Sequence, residues 1–111
     1  MDRFEKMTMT KTATKLVLWI TSSTPTACEI LAANSGADVL LIDAQHGAFA
    51  QDEALKLVSA CAMGKAECGV RVSDANATAE ISRFLDAGAT TVVCPMVNDK
   101  ESCEKFVKSC L

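Results

Sequence analysis

The chain has 111 residues, a formal net charge of −3 and a composition that is 50% hydrophobic. That is enough apolar material for one compact domain, and too much for a disordered chain. The weakly acidic balance gives no basic face for nucleic acid, and no apolar run approaches the ~20 residues needed to span a bilayer.

The first segment, MDRFEKMTMTKTATK, lacks the apolar centre of a secretory signal. Its Thr, Met and Lys content has something of a transit peptide, but Asp2 and Glu5 argue against that. Residues 1–15 read as an N-terminal arm on a cytoplasmic protein, followed by a domain over 16–111.

The chain then alternates. LVLWI (16–20) is a short run of strand formers, and Thr24-Pro25 has the form of an N-cap with proline at the first helical position. Ala27, Ile30 and Leu31 follow at helical spacing, and Gly36 closes that helix. ADVLLIDA (37–44) is the second strand. Ala54, Leu57, Val58, Cys61 and Ala62 make the next helical face, closed by Gly64. CGVRVSD (68–74) is the third strand. Ala77, Ile81, Phe84 and Leu85 lie on a helix starting near Asn76 and ending at Gly88. TTVVCPMV (90–97) is the fourth strand. Asn98 and Glu101 stand at capping-box spacing before a last helix expected to bury Cys103, Phe106, Val107, Cys110 and Leu111.

The pattern is α/β, four consecutive βα units. Strands reading VLLI and TVVC are apolar on both faces, as covered parallel strands are. Two architectures accommodate four such units: a small doubly wound sheet, or half of a (β/α)₈ barrel whose full form needs ~250 residues. The periodicity does not choose between them. The six cysteines contain no CxxC pair and share faces with Leu, Val and Phe, so they read as small buried hydrophobes rather than as disulfides or zinc ligands.

In either architecture ligands bind at the carboxyl ends of the parallel strands. Asp43 ends the second strand, with Gln45 and His46 just after it, and Arg71 lies near the end of the third. His46 is the only histidine. Arg71 can hold a carboxylate or an enolate oxygen with forked hydrogen bonds, and His46 can move a proton near neutral pH. Asp43 can orient that histidine or a metal-bound water. Each residue also has a structural reading, as a strand cap or a loop residue. Together the three suit proton transfer beside an oxyanion, as in carbon–carbon cleavage of an oxo acid. No lysine falls at a strand's carboxyl end, so a Schiff-base mechanism has no nucleophile and a metal would have to serve as electron sink. Glycine-rich phosphate loops are absent.

Read in order, the LW at 18–19, the glycine-closed helix ending GAD, LLIDAQHG, VRV (70–72), ISRFLDAGA (81–89) and VVCPMV (92–97) form a set. That set resembles the HpcH/HpaI aldolase/citrate lyase family, metal-dependent pyruvate aldolases of the phosphoenolpyruvate-binding barrel type. The resemblance implies the first half of a (β/α)₈ TIM barrel, with a small oxo-acid substrate of the pyruvate type. It implies a catalytic base at His46, Asp43 beside a metal-bound water, Arg71 on pyruvate and its enolate, and Asp86 of the LDAG motif supporting the histidine across a subunit contact. It implies a divalent cation (Mg, Mn or Co) whose Glu and Asp ligands come from later strands than this chain contains, and a homo-oligomer or a need for a second half-barrel. The family's usual Glu is Gln45 here. The activity expected is cleavage of a 4-hydroxy-2-oxo acid to pyruvate and an aldehyde. The alternative is a catalytically inactive half-barrel acting as a binding or oligomerisation module.

Overall fold

A computed structural model describes residues 14–111. The arm expected over residues 1–15 lies almost wholly outside them. Four strands alternate with four helices: β1 (Val17–Ile20), α1 (Pro25–Asn34), β2 (Val39–Asp43), α2 (Gln51–Cys61), β3 (Glu67–Arg71), α3 (Thr78–Ala87), β4 (Thr91–Val93) and α4 (Lys100–Ser109). The strands are parallel and lie in the order β1-β2-β3-β4.

That order decides between the two architectures. Right-handed crossovers that always step the same way place every helix on the same side of the sheet. A doubly wound sheet reverses direction at a switch point and carries helices on both sides. The packing agrees with the first case. Ile20, Leu40, Ile42, Cys68, Val70 and Val72 are buried in one cluster with Cys28, Leu57, Val58, Cys61, Ile81 and Phe84 of the helices. The alternate residues, Val17, Trp19, Asp43 and Arg71 among them, belong to the other face, which no helix among the described residues covers. The chain therefore folds as the first half of a barrel.

Local signals explain the element ends. Thr24 caps α1, its hydroxyl accepting the Ala27 amide at 3.2 Å, with Pro25 at the first helical position. Gly88 adopts φ +119° and closes α3 in a Schellman arrangement. There the Ala89 amide donates to the Phe84 carbonyl (3.0 Å) and the Gly88 amide to that of Leu85 (3.2 Å). β4 is shorter than the sequence pattern suggests, because Pro95 has no amide to donate and Met96 takes φ +54°.

The last helix corrects two expectations. Its cap is Asp99 rather than Asn98, and the Asp99 carboxylate accepts the Ser102 amide at 2.7 Å and the Ser102 hydroxyl at 2.8 Å. Glu101 does not complete a capping box; it is simply an acidic residue in the first turn. Nor is the helix face buried: Phe106 and Cys110 are half-covered, whereas Cys103, Val107 and Leu111 are exposed. α4 is the last of the row, and its main helical neighbour is α3. The cysteine expectation holds for Cys28, Cys61 and Cys68, which are buried, and not for exposed Cys103; all six are free thiols. Burial pushes the Cys28 thiol up to about 11, which keeps it protonated and inert.

A Cβ at Gly88 would meet Ala62 at 2.7 Å in addition to the left-handed strain. Gly88→Ala is expected to cost about 1–3 kcal/mol of stability, read from the urea midpoint at unchanged slope.

Candidate functional site at the carboxyl rim

Asp43 and Arg71 are the last residues of neighbouring strands and register partners. Their side chains therefore rise from the same row on the open face. Arg71 Nε donates to Asp43 Oδ1 at 3.0 Å and Nη2 donates to Oδ2 at 2.6 Å, a forked pair. The carboxylate is 2% exposed and the arginine side chain 23%, so the pair has a dry end and a wet end.

The carboxylate gathers more donors. The amides of Gln45 (3.1 Å) and His46 (3.0 Å) donate to Oδ1, and the Trp19 indole N–H donates to Oδ2 at 3.1 Å. Five donors fill a group with roughly four lone-pair sites, so little acceptor capacity remains for water. Burial pushes the Asp43 carboxyl up, but the Arg71 guanidinium, the His46 amide, the Trp19 indole and the Gln45 amide outweigh it and hold it well below the usual carboxylate range. Reciprocally, the hydrogen bond to Asp43 raises the Arg71 pKa.

This arrangement builds the loop that carries His46. The chain turns around the Asp43 side chain, the Asp43 carbonyl accepts the Gly47 amide at 2.9 Å, and the Ala48 amide reaches the Thr21 carbonyl at 2.7 Å. A Cβ at position 47 would collide with the Asp43 carbonyl oxygen and the Phe49 ring, so only glycine fits. His46 is left exposed at the rim. Among the described residues its imidazole donates no hydrogen bond to Asp43, which instead accepts from the His46 main-chain amide.

Asp86 is elsewhere. It is exposed in the last turn of α3, next to the connection that enters β4 at its amino end. Within one chain it therefore sits at the opposite end of the barrel wall from Asp43, His46 and Arg71.

Two residues at the rim were given no role there by the sequence reading. Trp19 is one; its ring lies 5.0 Å from Arg71 Cζ in a cation–π contact. Its place in an apolar run hid it, although an indole N–H at an odd position of β1 needs a partner on the open face. Glu80 is the other, a buried carboxylate in the first turn of α3 that accepts the Ser73 amide at 3.0 Å and also the Ser73 hydroxyl. It pins the turn that follows Arg71. No spacing rule flags a helix residue that reaches back seven positions.

The sequence and the fold both have counterparts among known proteins. The HpcH/HpaI aldolase/citrate lyase family model matches residues 15–111. The chain belongs to that family. A 2-keto-3-deoxy-L-rhamnonate aldolase from Salmonella gallinarum is 33% identical over 96 residues, which cover 86% of this chain and 35% of that enzyme. Among solved structures, an HpcH/HpaI aldolase from Desulfitobacterium hafniense superposes with a TM-score of 0.76 at 24% identity, over 97% of this chain and 40% of that one. A citrate synthase variant superposes at 0.73 with 28% identity, over 87% of this chain and 40% of the other. The chain spans about a third of the length of the curated relatives it matches. Among the described residues no helix is long and apolar enough to cross a membrane.

Because the folded chain keeps Asp43 ionised to lower pH than the unfolded chain does, the unfolded chain takes up the proton first as pH falls. The stability Asp43 contributes is therefore complete near neutral pH and drains away as pH falls through and below the ordinary carboxylate range. Asp43→Asn is expected to cost about 3 kcal/mol at pH 7 by leaving the guanidinium uncompensated. Its denaturant midpoints are expected to fall less steeply with acid than those of the parent chain.

Proposed function

We propose that this chain supplies the anion-recognition and proton-transfer part of a carbon–carbon lyase that cleaves a 4-hydroxy-2-oxo acid to pyruvate and an aldehyde. The observation that carries the reading is the forked Asp43–Arg71 pair, which leaves both Nη1 hydrogens and one on Nη2 without a partner among the described residues. Those donors suit the carboxylate and the C2 oxygen of an oxo acid. His46, three residues beyond Asp43 on a loop bound to it, is the base. It takes the proton of the C4 hydroxyl; the C3–C4 bond breaks, the aldehyde leaves, and the electron pair passes to the C2 oxygen as an enolate beside Arg71. Return of a proton to C3 gives pyruvate. Asp43 serves as counter-ion to Arg71 and as anchor of the histidine loop. For Asp86 we propose a role only across a contact with a second copy.

The family resemblance implies a divalent cation. Among the described residues no group of three His, Cys, Asp or Glu side chains could hold one, and the Asp43 oxygens are already engaged. The residues here do not fit that ion, and no step above passes through it.

A second reading is a half-barrel that binds or assembles without turnover. The open face favours it: Val17 and Trp19 are each 46% exposed, and β1 and β4 each carry an edge unpaired among the described residues. Either reading fits a homo-oligomer or a second half-barrel laid against that face.

Pyruvate release from 2-keto-3-deoxy-L-rhamnonate, with Mg, Mn or Co added and the oligomeric state measured on the same sample, separates the two. The lyase reading expects release that falls about 10²- to 10⁴-fold in His46→Ala. An assembled chain that releases none supports the second reading, and undiminished release by His46→Ala removes the base role from that residue.

A further inference from the structure

We propose that Trp19 is a positioning residue: its indole N–H and its ring face together hold the Arg71 guanidinium flat across β2, with its free donor edge turned to the open side of the sheet. This inference rests on the oxo-acid reading for what that edge binds.

The register makes the contact non-trivial. Trp19 pairs with Leu41, and Leu41 pairs with Gly69, so Trp19 stands one row below Asp43 and Arg71 and two strands away from Arg71. To lie 5.0 Å from the Trp19 centroid, the Arg71 side chain must reach back over β2. Nothing bulky rises below it on its own strand, because position 69 is glycine and Leu41 fills that space. Asp43 fixes one edge of the guanidinium through Nε and Nη2. An in-plane fork alone leaves the plane free to swing about the carboxylate axis. The indole removes that freedom in two ways. Its face supports the guanidinium plane, and its N–H holds Asp43 Oδ2, the same oxygen that accepts from Nη2. Trp19 is nonetheless 46% exposed, more than an indole needs in order to fill a core. The rest of its surface lies on the open face of the sheet.

The test compares Trp19→Phe, which keeps the ring and loses the N–H, with Trp19→Leu, which loses both, and takes Arg71→Lys as the benchmark. Two readouts are taken on the folded chain. One is hydrogen exchange of the Arg71 Nε–H by ¹⁵N NMR; the other is pyruvate affinity by calorimetry. Exchange is expected to quicken about tenfold in Trp19→Leu and less in Trp19→Phe. Pyruvate binding is expected to weaken about tenfold in Trp19→Leu, approaching the Arg71→Lys value, with most of the loss restored in Trp19→Phe. A merely space-filling tryptophan would lower the melting temperature and leave native-state Nε–H exchange unchanged, and that result overturns the proposal. So does parent-like pyruvate affinity in Trp19→Leu when Arg71→Lys has lost it. If the parent chain itself fails to bind pyruvate, the oxo-acid reading falls, and the exchange measurement alone decides the role of Trp19.

Discussion

A carboxylate almost wholly removed from water, at the end of the second strand, sets the terms for the carboxyl rim. Burying an ion costs several kcal/mol even after relaxation, and only close, well-directed partners offset that. Asp43 has them: a guanidinium, an indole and two main-chain amides. Each partner is thereby placed. Arg71 is drawn across the sheet, the 44–47 turn is wound around the carboxylate, and His46 is carried out to the surface by a loop whose first residues are tied down. One interaction thus fixes the position of two different functional groups, one through its side chain and one through its backbone.

The rim exists in this form because the helices all lie on one side. Consecutive right-handed steps leave the other side of the sheet with no helical cover among the described residues, and alternation along each strand sends every second residue there. The helix-facing set is purely apolar. The opposite set runs from Val17 and Val39 at the amino end to Asp43 and Arg71 at the carboxyl end. At that carboxyl end, where ligands bind in singly wound folds, the Asp43 and Arg71 charges stand side by side. A doubly wound arrangement would have covered these charges with helices and left no open face for the free guanidinium donors.

Much of this was legible in the sequence, because the signals involved are local. Thr24-Pro25, Gly36 and Gly88 punctuate the chain by φ preference and capping chemistry, which need no knowledge of the rest of the fold. Arg71 could be singled out because a charge in an apolar strand must find a partner. The identity of that partner could not be read, since it depends on register, and register is a property of two strands at once. For the same reason Asp43 looked available to the His46 imidazole or to water, whereas pairing with Arg71 and Trp19 engages both its oxygens. Trp19 was hidden by its apolar neighbours, and Glu80 by its helix. The cap of α4 was misplaced by one residue because Asn98 and Asp99 both have capping side chains. Asp99 takes the position with the advantage of a full negative charge at the positive end of a helix.

The family match places this chain against about a third of its relatives' length, yet the electrostatics of the rim are closed within it. Among the described residues every donor to Asp43 lies between Trp19 and Arg71, within three adjacent strands and one loop. An ion pair assembled from neighbouring strands requires only that those strands pair, and β2 supplies the central register for both. Pairing of β1, β2 and β3 thus brings the guanidinium, the carboxylate and the histidine loop together. The order of dependence runs from strand register to ion pair to loop. Any surface laid against the open face would meet a guanidinium that Asp43 and Trp19 already contact within this chain.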